Sequence, residues 1–351
     1  MATLLPVKVE RVLLAEPRGF CAGVEMAIKA LAWMVRVFEA PVYCYHEIVH
    51  NRLVVEEFSR QGVIFVDDVA DVPPGAPVML SAHGSAPEVE AAAAGHERAV
   101  VNAVCPLVTK VHHELKVRAK KGYTVLYVGH AGHEEAIGTM AVAPNAVRLV
   151  EREADVDALD DIDGPVALLA QTTLPHDEWS GIAARAKARF PELWMPGRSD
   201  LCYATTNRQG ALRAIAGRCD AVVVIGSANS SNTVSLTHVA QATGCARVMR
   251  VNSADELPDD LSGVVGVTAG ASAPEWLVDE VLSRLAPAAG VEVVRTVEEE
   301  EYFPPPPELR ELLRAVAVAA SVALGVRPTG PLPSADDRSV PAARMLAAQS
   351  A

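Results

Sequence analysis

The feature that most limits what this chain can become is a repeated juxtaposition of a short apolar run, a knot of polar side chains just beyond it, and a helical stretch. Pro41 to Tyr45 leads to His50 and Asn51, and Pro77 to Leu80 leads to Ser81 and His83. Thr124 to Val128 precedes His130, His133 and Glu135, and Val166 to Ala170 precedes Gln171, Thr172 and Thr173. Ala221 to Ile225 is followed by Ser227, Asn229, Ser230, Ser231 and Asn232, and Val264 to Val267 by Thr268 and Ser272. Short β-rich runs alternating with helical stretches specify parallel strands joined by crossover helices, an α/β architecture. Ligands of such sheets bind beyond the carboxyl ends of the strands, where loops and helix N-termini offer hydrogen-bond donors. The six polar tips are therefore expected to form one composite site.

Three cysteines obey the same rule. Val12 to Ala15 precedes Cys21, Val100 to Val104 precedes Cys105, and Cys202 follows the turn Gly197-Arg198-Ser199-Asp200. After Cys21, Val24, Ala27, Ile28, Leu31, Val35 and Phe38 recur at helical spacing, and after Cys105, Pro106 suits a first helical turn that Gly122 can end. Strand-to-helix turns expose a sulfur, and a helix N-terminus favours its thiolate, so these three settings are ligand-like. Cys44, Cys219 and Cys245 lie in ordinary core settings. The ligand-like three are too far apart for the local C-x-x-C spacing of a zinc ribbon or a ferredoxin loop, and spacing alone leaves zinc and iron-sulfur both open. Their separations suggest three similar α/β units, residues 10–104, 105–201 and 202–288. Residues 289–351 read as a peripheral, partly disordered tail, with an acidic run (Glu298 to Glu301), four prolines (Pro304 to Pro307) and a helix candidate around Leu312 to Leu324.

A chain of 351 residues, 50% hydrophobic, can bury a large core. Its formal charge of -13 excludes nucleic acid as a main partner, because phosphate backbones need clustered Lys and Arg. The N-terminus lacks the layout of a signal peptide. No stretch reaches the roughly 20 apolar residues of a membrane helix, the nearest being Ala315 to Val326, bounded by Arg314 and Arg327. Six scattered cysteines do not make a secreted disulfide scaffold. A cytoplasmic protein that does not span a membrane, monomer or homodimer, is expected.

PRGFCAGV, HNRLVV, SAHG, CPLVTKVH, GHAGHEEAIGTM, QTTL, CYATTNRQ, NSSN and TAGASAPE occur in this order over roughly residues 12 to 285. Together they resemble the 4-hydroxy-3-methylbut-2-enyl diphosphate reductase (LytB/IspH) family. The resemblance implies three α/β units with parallel sheets around a central 4Fe-4S cluster, held by Cys21, Cys105 and Cys202 with one iron not ligated by protein. It implies that His50, His83 and His133, with Ser230, Ser231, Asn232 and Ser272, hold the diphosphate. Glu135 matches the family's proton-delivering acid, and Thr172 the residue that positions the departing hydroxyl. The implied reaction is reductive dehydroxylation to isopentenyl and dimethylallyl diphosphates, the last step of the methylerythritol phosphate route. Electrons are expected from a ferredoxin or flavodoxin, since no Gly-rich dinucleotide fingerprint follows a strand. Thr205 and Asn207 are second-tier candidates, and His130 is the histidine outside this set best placed to support the site.

Several residues depart from the family pattern. Glu25-Met26 replaces aspartate-arginine, Ser85-Ala86 replaces valine-serine, and Ala141-Val142 stands where glycine-glutamine is expected. Val104, Pro175 and Thr233-Val234-Ser235 also differ. Glu134 occupies a position where proline is usual, and a second carboxylate beside Glu135 is expected to alter its pKa. The changes around Glu134 and Ala141 motivate a rival reading, a paralogue acting on another allylic diphosphate; a second rival is a non-catalytic iron-sulfur sensor of isoprenoid diphosphates that uses the extended C-terminal tail to contact a partner. A zinc-dependent phosphohydrolase built from the same Cys and His residues is a third.

Overall fold

The computed structural model describes residues 9–95, 99–325 and 338–347. His96 and much of the predicted tail, residues 326–337 and 348–351, lie outside the described residues. The chain opens with β1 (Val9–Glu16) and α1 (Ala22–Val37). It continues through β2 (Val42–Tyr45), α2 (Arg52–Arg60), β3 (Val63–Val66), β4 (Val78–Leu80), α3 (Pro87–Ala94) and β5 (Val100–Asn102). These four later strands form a parallel sheet in the order β3-β2-β4-β5. Next come α4 (Pro106–Lys120), β6 (Thr124–Val128), α5 (Glu134–Ala141), β7 (Val147–Val150), α6 (Glu153–Ala158), β8 (Val166–Ala170) and α7 (His176–Arg189). Their strands form a second parallel sheet, β7-β6-β8.

The third stretch runs through α8 (Tyr203–Ala216), β9 (Ala221–Ile225), α9 (Ser231–Ala242), β10 (Val248–Val251), β11 (Gly263–Ala269), α10 (Glu275–Leu285) and β12 (Val291–Arg295). The chain then adds α11 (Pro307–Leu324) and α12 (Ala342–Ala347). The third sheet has five parallel strands in the order β10-β9-β11-β1-β12. The expected α/β class, three parallel sheets with crossover helices, is what the chain adopts. Its driving force is visible in β8 and β9, whose VALLA and AVVVI runs are buried at every residue, as strands covered by helices on both faces must be.

Two segments sit elsewhere than cuts near 104, 201 and 288 would place them. β1, at the start of the first expected unit, pairs with β11 on one edge and β12 on the other. β12, assigned to the tail, completes that sheet. The VLLA core of β1 is buried, and a strand buried on both faces gains most by hydrogen bonding on both edges.

The tail is likewise less peripheral than its composition suggests. Leu309 and Leu313 of α11, and Ala342, Met345 and Leu346 of α12, are buried in one core cluster with α1 and α2. The later turns of α11 leave Val318, Val322 and Leu324 exposed. No helix among the described residues is long and apolar enough to cross a membrane.

Candidate active site

Each ligand-like cysteine is the residue immediately before a helix: Cys21 caps α1, Cys105 caps α4 and Cys202 caps α8. Backbone bonds tie the three turns to other parts of the chain. Cys21 N donates to Ala271 O (3.2 Å), Cys105 N to Ala82 O (3.0 Å) and Cys202 N to Thr172 O (2.9 Å). All three side chains line a single cavity of about 110 Å³, shared with His50, His83, His133, Glu135, Thr172, Ser230, Asn232 and Ser272.

The donor set fits an iron-sulfur group. The three thiols are unbridged, and Gly23, the second residue of α1, keeps space beside them. A Cβ added there would lie 2.8 Å from the Cys105 sulfur and 3.9 Å from that of Cys21. Burial pushes the Cys202 thiol up to about 12, with the neighbouring Cys21 sulfur adding to the effect. Burial and Cys21 likewise raise Cys105, against the opposing pull of the α4 backbone N–H groups. At Cys105 and Cys202 desolvation and crowding thus outweigh the helix N-termini, contrary to the thiolate-favouring setting read from sequence. A bound cation must draw these protons off, as metal binding to thiols does generally.

Across the cavity three histidines meet. His50 lies just before α2, His83 just after β4, and His133 caps α5. The rings of His50 and His83 stack with centroids 3.8 Å apart and 9° between their planes. His133 stands edge-on to both, at 5.5 and 6.4 Å. Glu135 N donates to His133 Nδ1 (3.1 Å), which leaves Nε2 to carry the proton of the neutral ring. That Nε2, and Nε2 of His83, are buried without a partner among the described residues. Burial lowers His133 to about 4 and holds His83 well below the ordinary range, with the neighbouring His50 working in the same direction.

Glu135 enters from the second turn position of α5 and is 3% exposed. Its carboxylate accepts from Thr172 N (2.7 Å) and from Thr172 Oγ1 (2.8 Å). Burial pushes the Glu135 carboxyl up to about 7, even though both bonds from Thr172 oppose the shift. The second carboxylate that bears on it is Asp200, itself bonded to Lys110 (3.1 Å) and to Ala170 N (3.2 Å). Glu134 does not take that part, because it faces the histidines instead.

The remaining expected residues also gather here. Ser230 caps α9 by accepting from Thr233 N (3.3 Å), and Ser272 Oγ donates to His50 O (2.9 Å). Asn232 Oδ1 accepts from Ala271 N (2.9 Å), in the turn that also receives the Cys21 N–H. Ser231 Oγ accepts from Thr173 Oγ1 (2.8 Å) and Gln171 Nε2 (3.3 Å). Thr205 reaches the cavity and bonds Asn232, whereas Asn207 turns away to Glu299 (3.0 Å). His130 pairs with Glu178 at a neighbouring opening.

Two contributors escaped the sequence reading. Arg208, fully buried in α8, donates to the Gly19 carbonyl at 3.1 and 2.8 Å and to Glu299 at 3.0 Å. It thereby ties the Cys21 turn, the Cys202 helix and the acidic segment together. His46 bonds Glu134 at 2.9 Å. A buried arginine in the TTNRQ run was a readable signal, but its partners lie 91 and 189 residues away.

The profile of the LytB protein family matches residues 12–286. The 4-hydroxy-3-methylbut-2-enyl diphosphate reductase of Mycolicibacterium paratuberculosis is 48% identical over 308 residues, covering 86% of this chain and 92% of its own. That of Streptomyces avermitilis is 46% identical over 332 residues, covering 93% and 97%. The solved structure of the E-1-hydroxy-2-methyl-but-2-enyl-4-diphosphate reductase from Plasmodium falciparum superposes with a TM-score of 0.85 at 31% identity, covering 88% of this chain and 99% of its own.

Proposed function

The chain belongs to the LytB protein family, and we propose that it reduces 4-hydroxy-3-methylbut-2-enyl diphosphate to isopentenyl and dimethylallyl diphosphates with a 4Fe-4S cluster held by Cys21, Cys105 and Cys202. One observation carries the reading. Three thiols, three histidines and a buried acid face a single cavity, which supports a reading in which reductant, anion site and proton source act on one substrate.

The residues divide the work by their chemistry. His50, His83 and His133, with Ser230, Ser231, Asn232 and Ser272, take the diphosphate. The buried rings carry N–H donors, and an anion seated among them favours their protonation. This directs the hydroxyl end of the substrate toward the cysteines. A cluster held by Cys21, Cys105 and Cys202 would supply electrons one at a time and, with an iron left free of protein ligands, Lewis acidity toward the hydroxyl.

Glu135 and Thr172 supply the proton. Near neutral pH a carboxyl at about 7 is partly protonated. Its O–H can donate to Thr172 Oγ1, 2.8 Å away, and the Thr172 hydroxyl is then released to donate into the cavity. Overall, two electrons and two protons turn one C–OH bond into a C–H bond and release one water. The first proton leaves with the hydroxyl, and the second goes to one or the other end of the allylic unit, which gives the two products. A ferredoxin or flavodoxin is the electron donor in this scheme, and the cytoplasm the setting, with the chain a monomer or homodimer.

The test is anaerobic turnover of 4-hydroxy-3-methylbut-2-enyl diphosphate by the iron-reconstituted protein with an artificial low-potential reductant. Both products are expected from the native chain and neither from Cys105→Ala. An intact cluster without turnover would refute the reading.

A further inference from the structure

Glu134 is the first residue of α5, directly after His133. One carboxylate oxygen is 2.9 Å from His46 Nδ1. The other, Oε2, lies 3.9 Å from His83 Nε2 and 4.0 Å from His50 Nε2. This oxygen is buried and has no hydrogen-bond partner among the described residues, and His83 Nε2 is equally unpartnered. The parallel rings of His50 and His83 therefore both turn their Nε2 edges toward one carboxylate oxygen. His46, in a left-handed backbone conformation (φ +58°) just beyond β2, anchors the far side of the group.

We propose that Glu134 is an internal anion that occupies the phosphate position between His50 and His83 in the resting protein and sets substrate affinity by competing with diphosphate. The proposal rests on the assignment of these histidines to the diphosphate. A phosphate oxygen accepting from both Nε2 groups would crowd Glu134 Oε2, which already faces both at 3.9 and 4.0 Å, and two anions so close repel strongly. Glu134 lines an adjoining cavity that shares His50, His133 and Ser231 with the first, so the carboxylate borders the histidine cluster from a side open to movement.

The same three residues bring a carboxylate and two imidazoles within 4.8 Å of one another, which invites comparison with a metal site. Ring geometry argues against it. With rings stacked 3.8 Å apart and 9° from parallel, an ion at about 2.1 Å from both nitrogens would lie far out of both ring planes, whereas an oxygen at a hydrogen-bond length of about 2.9 Å need lean much less.

The experiment uses the reconstituted holoenzyme and inorganic pyrophosphate as probe. Its Kd is measured by calorimetry, alongside KM for 4-hydroxy-3-methylbut-2-enyl diphosphate, in the native chain, Glu134→Gln, Glu134→Ala and His83→Ala. Removing the competing negative charge should lower Kd and KM on the order of tenfold in both Glu134 variants, more than any change in kcat. An unchanged or raised Kd in Glu134→Gln overturns the proposal. A rise that EDTA abolishes would give the position to a bridging metal ion, and overturns it too. His83→Ala separates the two levels of the argument. If it leaves pyrophosphate affinity intact, the diphosphate assignment itself fails. If it weakens affinity while Glu134→Gln does not strengthen it, only the role of Glu134 fails.

Discussion

Glu135 carries opposite expectations for stability and for activity, which makes it the most informative side chain to change. Its carboxyl moves from an ordinary 4.5 to about 7 on folding because burial disfavours the charge. The folded state therefore binds more protons than the unfolded state between these values, and stability falls as pH rises through that window. At 1.36 kcal/mol per pH unit, the difference amounts to about 3 kcal/mol, fully present below pH 4.5 and lost above about pH 7. Glu135→Gln keeps the shape and both contacts with Thr172 but has nothing to titrate. Allowing about 1 kcal/mol for hydrogen bonds weakened by loss of charge, the variant should exceed the native chain by about 2 kcal/mol at pH 8. At pH 5 it should show no such advantage. Urea denaturation of both proteins at the two pH values, followed by circular dichroism, reads this directly. A gap that does not change with pH would refute the assignment of a buried, raised carboxyl. The same variant should lose at least about 10²-fold in kcat, because an amide cannot deliver the proton.

Thr172→Val removes a hydrogen bond that holds Glu135 down, so the alkaline limb of the kcat profile should move to higher pH while kcat itself falls about 10²-fold; steady-state rates from pH 6 to 9 check both. Arg208→Met leaves Glu299 without its buried partner and the Gly19 carbonyl without its donors, at a cost of about 3 kcal/mol, and iron retained per chain should drop because that carbonyl lies just before Cys21. Thermal denaturation and iron analysis measure the two effects. Ending the chain before Tyr302 strips Leu309, Leu313, Met345 and Leu346 from the cluster around α1, at roughly 1.5 to 3 kcal/mol for each fully buried side chain. Denaturant titration should show a clear loss of stability, and unchanged stability would restore the tail to a peripheral role.

Much of the site was legible because its signals are local. Cys21, Cys105 and Cys202 sit at the junction of a strand or turn with a helix, and Pro106 or a run of helix-spaced apolar residues marks that junction in the sequence itself. Ser230 and Asn51 read as polar tips and prove to be caps as well, since a side-chain oxygen two or three residues before an unpaired backbone N–H is a short-range arrangement. Glu134 was visible as a departure from the family pattern, but its direction was not. It was expected to act on Glu135, its neighbour in sequence. At the start of a helix adjacent residues point to different sides, so Glu135 turns inward to Thr172 and Glu134 to His46.

The sequence by itself determined the α/β class, the strand runs that carry polar tips, the helices that follow the three cysteines, and the family, because hydrophobic period, caps and motif order are properties of neighbouring residues. Tertiary structure alone decided that β1 and β12 close the sheet of β9 to β11, that α12 packs on α1, and that Arg208 joins Gly19 to Glu299. It also decided which histidine nitrogens face a carboxylate. These are pairings between groups far apart in the chain, chosen by which edges and buried charges remain unsatisfied once the local elements have formed, and no spacing along the sequence records that choice.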